Sequence, residues 1–173
     1  LRRSLSLRGI VQSIIESVRI SAMVVLLITG AVLFGRFLTV SRLPFVLAEW
    51  ATSLPVPPFL ILLVVITIYI IGGALMDALG FLVVTIPIFF PLGVGLGYDP
   101  VWYTMVLTIV TTMGAITPPV GVNVFIAHGL APEIPIHTIF RGVSYFLFAF
   151  GVCIALMWVF PAIVLWVPNA MLG

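Results

Sequence analysis

Residues 114–123 read Gly114-Ala-Ile-Thr-Pro-Pro-Val-Gly-Val-Asn123, inside a stretch, 100–132, that carries no Asp, Glu, Lys or Arg. In an α-helix each N–H bonds the carbonyl four residues back. Pro118 and Pro119 have no N–H, so the carbonyls of Gly114 and Ala115 lose their helical donors. Pro118 also biases Thr117 away from helical backbone. The stretch predicts a broken helix over 114–123 in place of one straight span. Bare backbone at membrane depth is tolerated only inside protein or beside a water-filled cavity.

Such a break has two chemically different ends. The carbonyls of Gly114 and Ala115 and the Thr117 hydroxyl are oxygens that suit a hard cation such as sodium. The second half-helix is expected to start near Pro119, a favoured first position. Its N–H groups at Val120, Gly121 and Val122 carry positive partial charge and suit a carboxylate. Asn123 adds an amide, and Gly114 and Gly121 admit close approach. A plain kink is the competing reading, because single prolines bend many membrane helices harmlessly. The double proline with Thr, two Gly and Asn beside it favours a site.

The rest of the chain places this break in a membrane. Of 173 residues, 63% are hydrophobic and 7% charged, with a mean hydropathy of +1.39. Soluble domains have about 25% charged residues, so a water-soluble fold is excluded. A net charge of +2 from scattered Arg makes no phosphate-tracking patch, which excludes a nucleic-acid partner. Cys153 is the single cysteine and is expected to act as a small hydrophobe. His128 and His137 have no completing ligand at metal-site spacing. Ser144 and Thr138 lack a base partner at recognisable spacing, and of two acids that could pair in the membrane, Asp77 and Asp99, the second lies in a Gly-Tyr-Asp-Pro turn, so an enzyme is not expected.

About 20 apolar residues cross a bilayer. Four crossings are predicted, at 59–76, 78–96 (interrupted by Pro87 and Pro91), 101–131 (broken as above) and 139–166. Residues 1–19 carry Leu7, Ile10, Val11, Ile14, Ile15 and Val18 at helical spacing and predict an amphipathic interfacial arm. Residues 20–53 read either as a re-entrant hairpin with its tip near 35–44, or as one span with Arg36 snorkelling. Residues 54–173 form the bundle. Asp77 divides two apolar runs; it either faces a cavity or partner or marks a solvated interfacial loop. The chain reads as part of a larger membrane protein that continues before Leu1.

These residues also carry a resemblance. SAMVVLLITGAVLFGRFLT, LPFVLAEW, GGALMDALGFLVVTIPIFFPLGVGLGYDPVWY, GAITPPVGVNVFIAHGLA and IFRGVSYF are together similar to the C-terminal part of the large membrane subunit of tripartite ATP-independent periplasmic (TRAP) transporters. The resemblance implies an all-α integral membrane fold: about four crossings, one re-entrant hairpin and one broken helix, half of an inverted-repeat transporter. It favours the hairpin over 20–53. It implies sodium-coupled import of organic anions, dicarboxylate or sialic-acid type, by an elevator-like motion in the bacterial inner membrane. The implied partners are a small four-helix membrane subunit, a periplasmic binding protein and the lipid bilayer, with sodium as coupling ion and no other cofactor. The implied ion and substrate neighbourhood is Gly114, Thr117, Pro118, Pro119, Gly121 and Asn123, beside the Ala115 carbonyl already singled out, and it is faced by the hairpin tip around Gly35 and Thr39. A carboxylate carrier without a binding protein and a non-transporting membrane scaffold are the alternatives. Half a transporter cannot form a site between repeats, so the chain alone is not expected to transport.

Overall fold

The computed structural model describes residues 7–118 and 120–172. Among them it contains eight helices and no strand: α1 Leu7–Ser41, α2 Leu43–Ser53, α3 Pro58–Leu75, α4 Ala78–Gly95, α5 Pro100–Gly114, α6 Val122–Leu130, α7 Ile136–Val159 and α8 Ala162–Leu172. An all-α membrane protein is thus what the apolar sequence builds. The helices long and apolar enough to cross a bilayer are α1, α3, α4 and α7. The predicted crossing at 101–131 is instead divided between α5, 15 residues, and α6, 9 residues. Its place among the four is taken by α1.

Local chemistry sets most boundaries. Pro57 precedes α3 in extended backbone, with Pro58 at the first helical position. Asp77 is the N-cap of α4 and accepts from the Gly80 N–H at 2.9 Å. Asp99 is the N-cap of α5, accepting from Val101 N at 2.9 Å and Trp102 N at 3.0 Å, with Pro100 following. The turn before it uses Gly97 at φ +86, a backbone that suits glycine. Because Asp99 satisfies two orphan amides at once, Asp99→Ala is expected to destabilise the chain by about 1–2 kcal/mol. The midpoint of detergent-induced unfolding measures this, and an unmoved midpoint would contradict it.

α1 runs without interruption from the segment expected to be an arm into the segment expected to be a hairpin limb, with no break between residues 19 and 20. The calls on residues 1–6 of the arm lie outside the described residues. At Arg42 the chain adopts φ +57, ψ 8, and α2 leaves in a new direction with Pro44 near its start. Pro87 and Pro91 do not interrupt α4. Membrane helices tolerate interior prolines where neighbours accommodate the altered backbone. Gly35 of α1 lies against the Pro87 ring, where a Cβ would come within 3.3 Å of Cγ.

The core lies where α3, α4 and α5 meet. Leu62, Val65 and Tyr69 of α3 pack with Tyr103, Val106, Leu107 and Val110 of α5. Tyr69 is edge-on to both Phe81 and Phe89. The Tyr103 ring lies so close to Gly93 that any Cβ there would collide with it, and its hydroxyl donates to the Phe89 carbonyl at 3.2 Å.

The last predicted span, 139–166, is divided by a break at Phe160–Pro161. Pro161 has no N–H for the Met157 carbonyl, four residues back. The indole N–H of Trp102 donates to that carbonyl instead, at 2.8 Å in a buried contact. Trp102 also stacks on Tyr98 and meets Trp158 edge-on. The start of α5 is thereby tied to the end of α7.

Candidate functional site

The helix predicted to break does so between Gly114 and Val122. Its backbone partners differ from those expected. The Gly114 carbonyl accepts from Thr117 N at 2.8 Å, and the Ala115 carbonyl accepts from Asn123 N at 3.1 Å. The two carbonyls expected to stand free are each partnered: the N–H just before the prolines closes a tight turn onto Gly114, and the chain folds back so that the Asn123 N–H, beyond the prolines, reaches Ala115. The Thr117 hydroxyl donates to the Met113 carbonyl at 2.6 Å, which leaves its lone pairs as acceptors.

The oxygens that do lack partners lie one step further along. Neither the Ile116 nor the Thr117 carbonyl accepts a hydrogen bond among the described residues. Both lie beside Gly121, at 3.3 and 3.2 Å from where a Cβ would stand. Gly121 is at φ +58 and is the N-cap of α6, so it meets both demands that only glycine meets cheaply: a left-handed backbone and no side chain. Sequence reasoning missed the Ile116 carbonyl. The signal was available, since a turn forced by two prolines must leave some carbonyl without a following N–H.

α6 starts at Val122 and not near Pro119; Pro119 itself lies outside the described residues. A glycine that turns left-handed at 121 delays the helix. Among the described residues, the N–H groups of Val120, Gly121 and Val122 donate to no acceptor. Pro118 and the Asn123 side chain are exposed.

The other site residues are distributed differently. Gly35 and Thr39 lie on α1 beside Pro87, in an open depression of about 490 Å³ shared with Val32, Arg36 and Val40. The Thr39 hydroxyl donates to the Gly35 carbonyl at 2.9 Å. Nothing described for this pair reaches the 114–123 turn: α1 packs on α4 and α2, whereas α6 packs on α7. Asp77 is exposed and its carboxylate caps α4. It follows shortly after Ala74, whose backbone nitrogen is 3.1 Å from a Gly114 Cβ position. Asp77 is therefore at the same end of the bundle as the break.

A helix broken around paired glycine and proline, with unpaired carbonyls at one end and unpaired amides at the other, is a fold element of transporters. Residues 1–163 match the family described as tripartite ATP-independent periplasmic transporter, DctM component. The chain belongs to this DctM family. It is 31% identical over 156 residues to the C4-dicarboxylate TRAP transporter large permease protein DctM of Pseudomonas aeruginosa, covering 90% of this chain and 36% of that protein. It is 29% identical over 170 residues to the sialic acid TRAP transporter large permease protein SiaM of Vibrio cholerae, covering 98% and 40%. It is 34% identical over 129 residues to the isethionate TRAP transporter permease protein DctMQ of Oleidesulfovibrio alaskensis, covering 75% and 20%. The chain thus spans two fifths or less of these DctM-family relatives, which are transporter permeases and not enzymes. No solved structure matches it.

Proposed function

We propose that this chain is the second-repeat segment of a large permease subunit that couples sodium entry to import of an organic anion across the bacterial inner membrane. In this reading a periplasmic binding protein delivers the anion, and a small four-helix membrane subunit braces the permease. The observation that carries it is the 114–123 turn. The Ile116 and Thr117 carbonyls and the Thr117 hydroxyl offer hard oxygens to sodium. The unused amides of Val120, Gly121 and Val122, at the positive end of α6, offer hydrogen bonds to a carboxylate or sulfonate. The relatives' names support the anion class: C4-dicarboxylate, sialic acid and isethionate are all acids. Sodium at the carbonyls beside those amides raises the local positive potential, so each ion favours binding of the other, and the coupling is reciprocal.

The test uses the complete permease. Thermal unfolding is followed as sodium chloride replaces choline chloride. A ligand that binds only the folded state raises stability with its concentration, so the sodium dependence of the midpoint reports sodium affinity. Thr117→Ala is expected to weaken that affinity about tenfold or more. Asn123→Ala is expected to weaken uptake of the anion more than sodium binding. A sodium response that is unchanged in Thr117→Ala would rule out this site. Uptake that does not depend on added binding protein would remove the tripartite part of the reading.

A further inference from the structure

The last turn of α5 does more than end at the break: it is seated on α3 backbone to backbone. A Cβ on Gly73 would collide with the Thr111 carbonyl, and a Cβ on Gly114 would collide with the Ile70 carbonyl and approach Ala74 N at 3.1 Å. The pairing of 73 with 111 and of 70 with 114 makes the crossing antiparallel. Each glycine takes the other helix's carbonyl against its Cα, the arrangement in which weak Cα–H···O contacts and close van der Waals packing hold membrane helices together. Thr111 is wholly buried there, its hydroxyl turned back onto the Leu107 carbonyl at 2.7 Å. Nothing flexible lies between the two backbones.

The site begins at once. Gly114 is the last residue of α5, and its carbonyl holds Thr117 through the Thr117 N–H. Ala115, which is 2% exposed, holds Asn123. The position of the Ile116 and Thr117 oxygens is therefore referred through two hydrogen bonds to a backbone that α3 fixes. We propose that Gly73 is a positioning residue for the sodium site: it touches no ion, and it sets where the oxygens stand by allowing α3 and α5 to meet. Gly72, its neighbour, has a different task, because the nearest atoms a Cβ there would meet are those of the Phe81 ring of α4. This inference rests on the sodium reading of the turn.

Gly73→Ala in the complete permease is expected to raise the sodium concentration for half-maximal thermal stabilisation about tenfold, the usual scale for disturbing the support of ion ligands. Gly72→Ala lowers the sodium-free unfolding midpoint but leaves the sodium response in place. If Gly73→Ala yields no folded protein, Ala74→Gly, which loosens the same crossing without adding an atom, is expected to shift the sodium response in the same direction. A Gly73→Ala protein with a lowered sodium-free midpoint and a wild-type sodium response would overturn the proposal while Thr117→Ala still weakens it. If Gly73→Ala and Thr117→Ala both leave the response unmoved, the sodium reading of the turn falls, and this inference with it.

Discussion

Replacing Tyr103 with alanine is expected to lower the unfolding free energy of the bundle by about 3–5 kcal/mol, the range for truncating a large buried aromatic side chain. The ring is wholly buried in the space left by the missing side chain of Gly93, and lies nearly parallel to Tyr98 at 6.2 Å. In a membrane the gain from removing apolar surface from water is small, because lipid tails are themselves apolar. The loss comes instead from contacts that vanish when a rigid cavity is left. Tyr103→Phe keeps the ring and removes only the neutral hydrogen bond to the Phe89 carbonyl, so it is expected to cost about 1 kcal/mol. Detergent-induced unfolding of the complete permease measures both. A Tyr103→Ala loss no larger than that of Tyr103→Phe would show that packing against Gly93 does not hold α4 to α5.

Trp102 carries the second large effect. Trp102→Ala is also expected to cost about 3–5 kcal/mol, since the indole is 5% exposed and joins Tyr98, Trp158 and the Met157 carbonyl. Trp102→Phe removes the indole N–H together with part of the ring, so it is expected to cost more than the ~1–2 kcal/mol of the hydrogen bond alone. The geometry makes a sharper claim than either number. Met157 needs the indole because Pro161 cannot donate. In a Pro161→Ala background the new N–H can take that carbonyl, so Trp102→Phe is expected to cost roughly half as much there, a coupling that a double-mutant cycle reads directly. Equal costs in the two backgrounds would mean that the indole bond owes nothing to the proline.

These two contacts also mark the limit of what could be read from the sequence. The 114–123 break was legible, because it is dictated by missing backbone donors within a few residues of chain. Pro161 obeys the same rule, yet the last span was read as continuous through it, since a single proline does not say whether the helix bends or ends. Pro87 and Pro91 were read as interruptions and are not, because Gly35 of α1 makes room beside one of them. The interior of the 114–123 turn was legible only in kind. That the break would leave some oxygens and some amides unpaired followed from the prolines. Which oxygens they are depended on a local turn bond from Thr117 and on a bond from Asn123 that closes only when the chain folds back. The crossing at Gly73 and Gly114 joins residues far apart in sequence, and no local pattern announces it. Gly35 and Thr39 were placed opposite the turn by the family resemblance; within this chain they adjoin Pro87.

The uninterrupted α1 constrains how this part of the permease can lie in its membrane. Its 35 residues make a rod about 52 Å long. Transmembrane helices lean from the bilayer normal by at most about 40°, and at that angle such a rod still rises about 40 Å, against a hydrocarbon thickness of about 30 Å. At least two turns must stand clear of the hydrocarbon at any ordinary tilt. The end bearing Arg8, Glu16 and Arg19 suits the headgroup layer. No proline divides the rod, so the sharp bend at Arg42 and the charged end move as one lever. If the bend travels along the membrane normal during a transport cycle, the arm must dip or swing with it, and the thickness of the bilayer becomes a mechanical load on the motion.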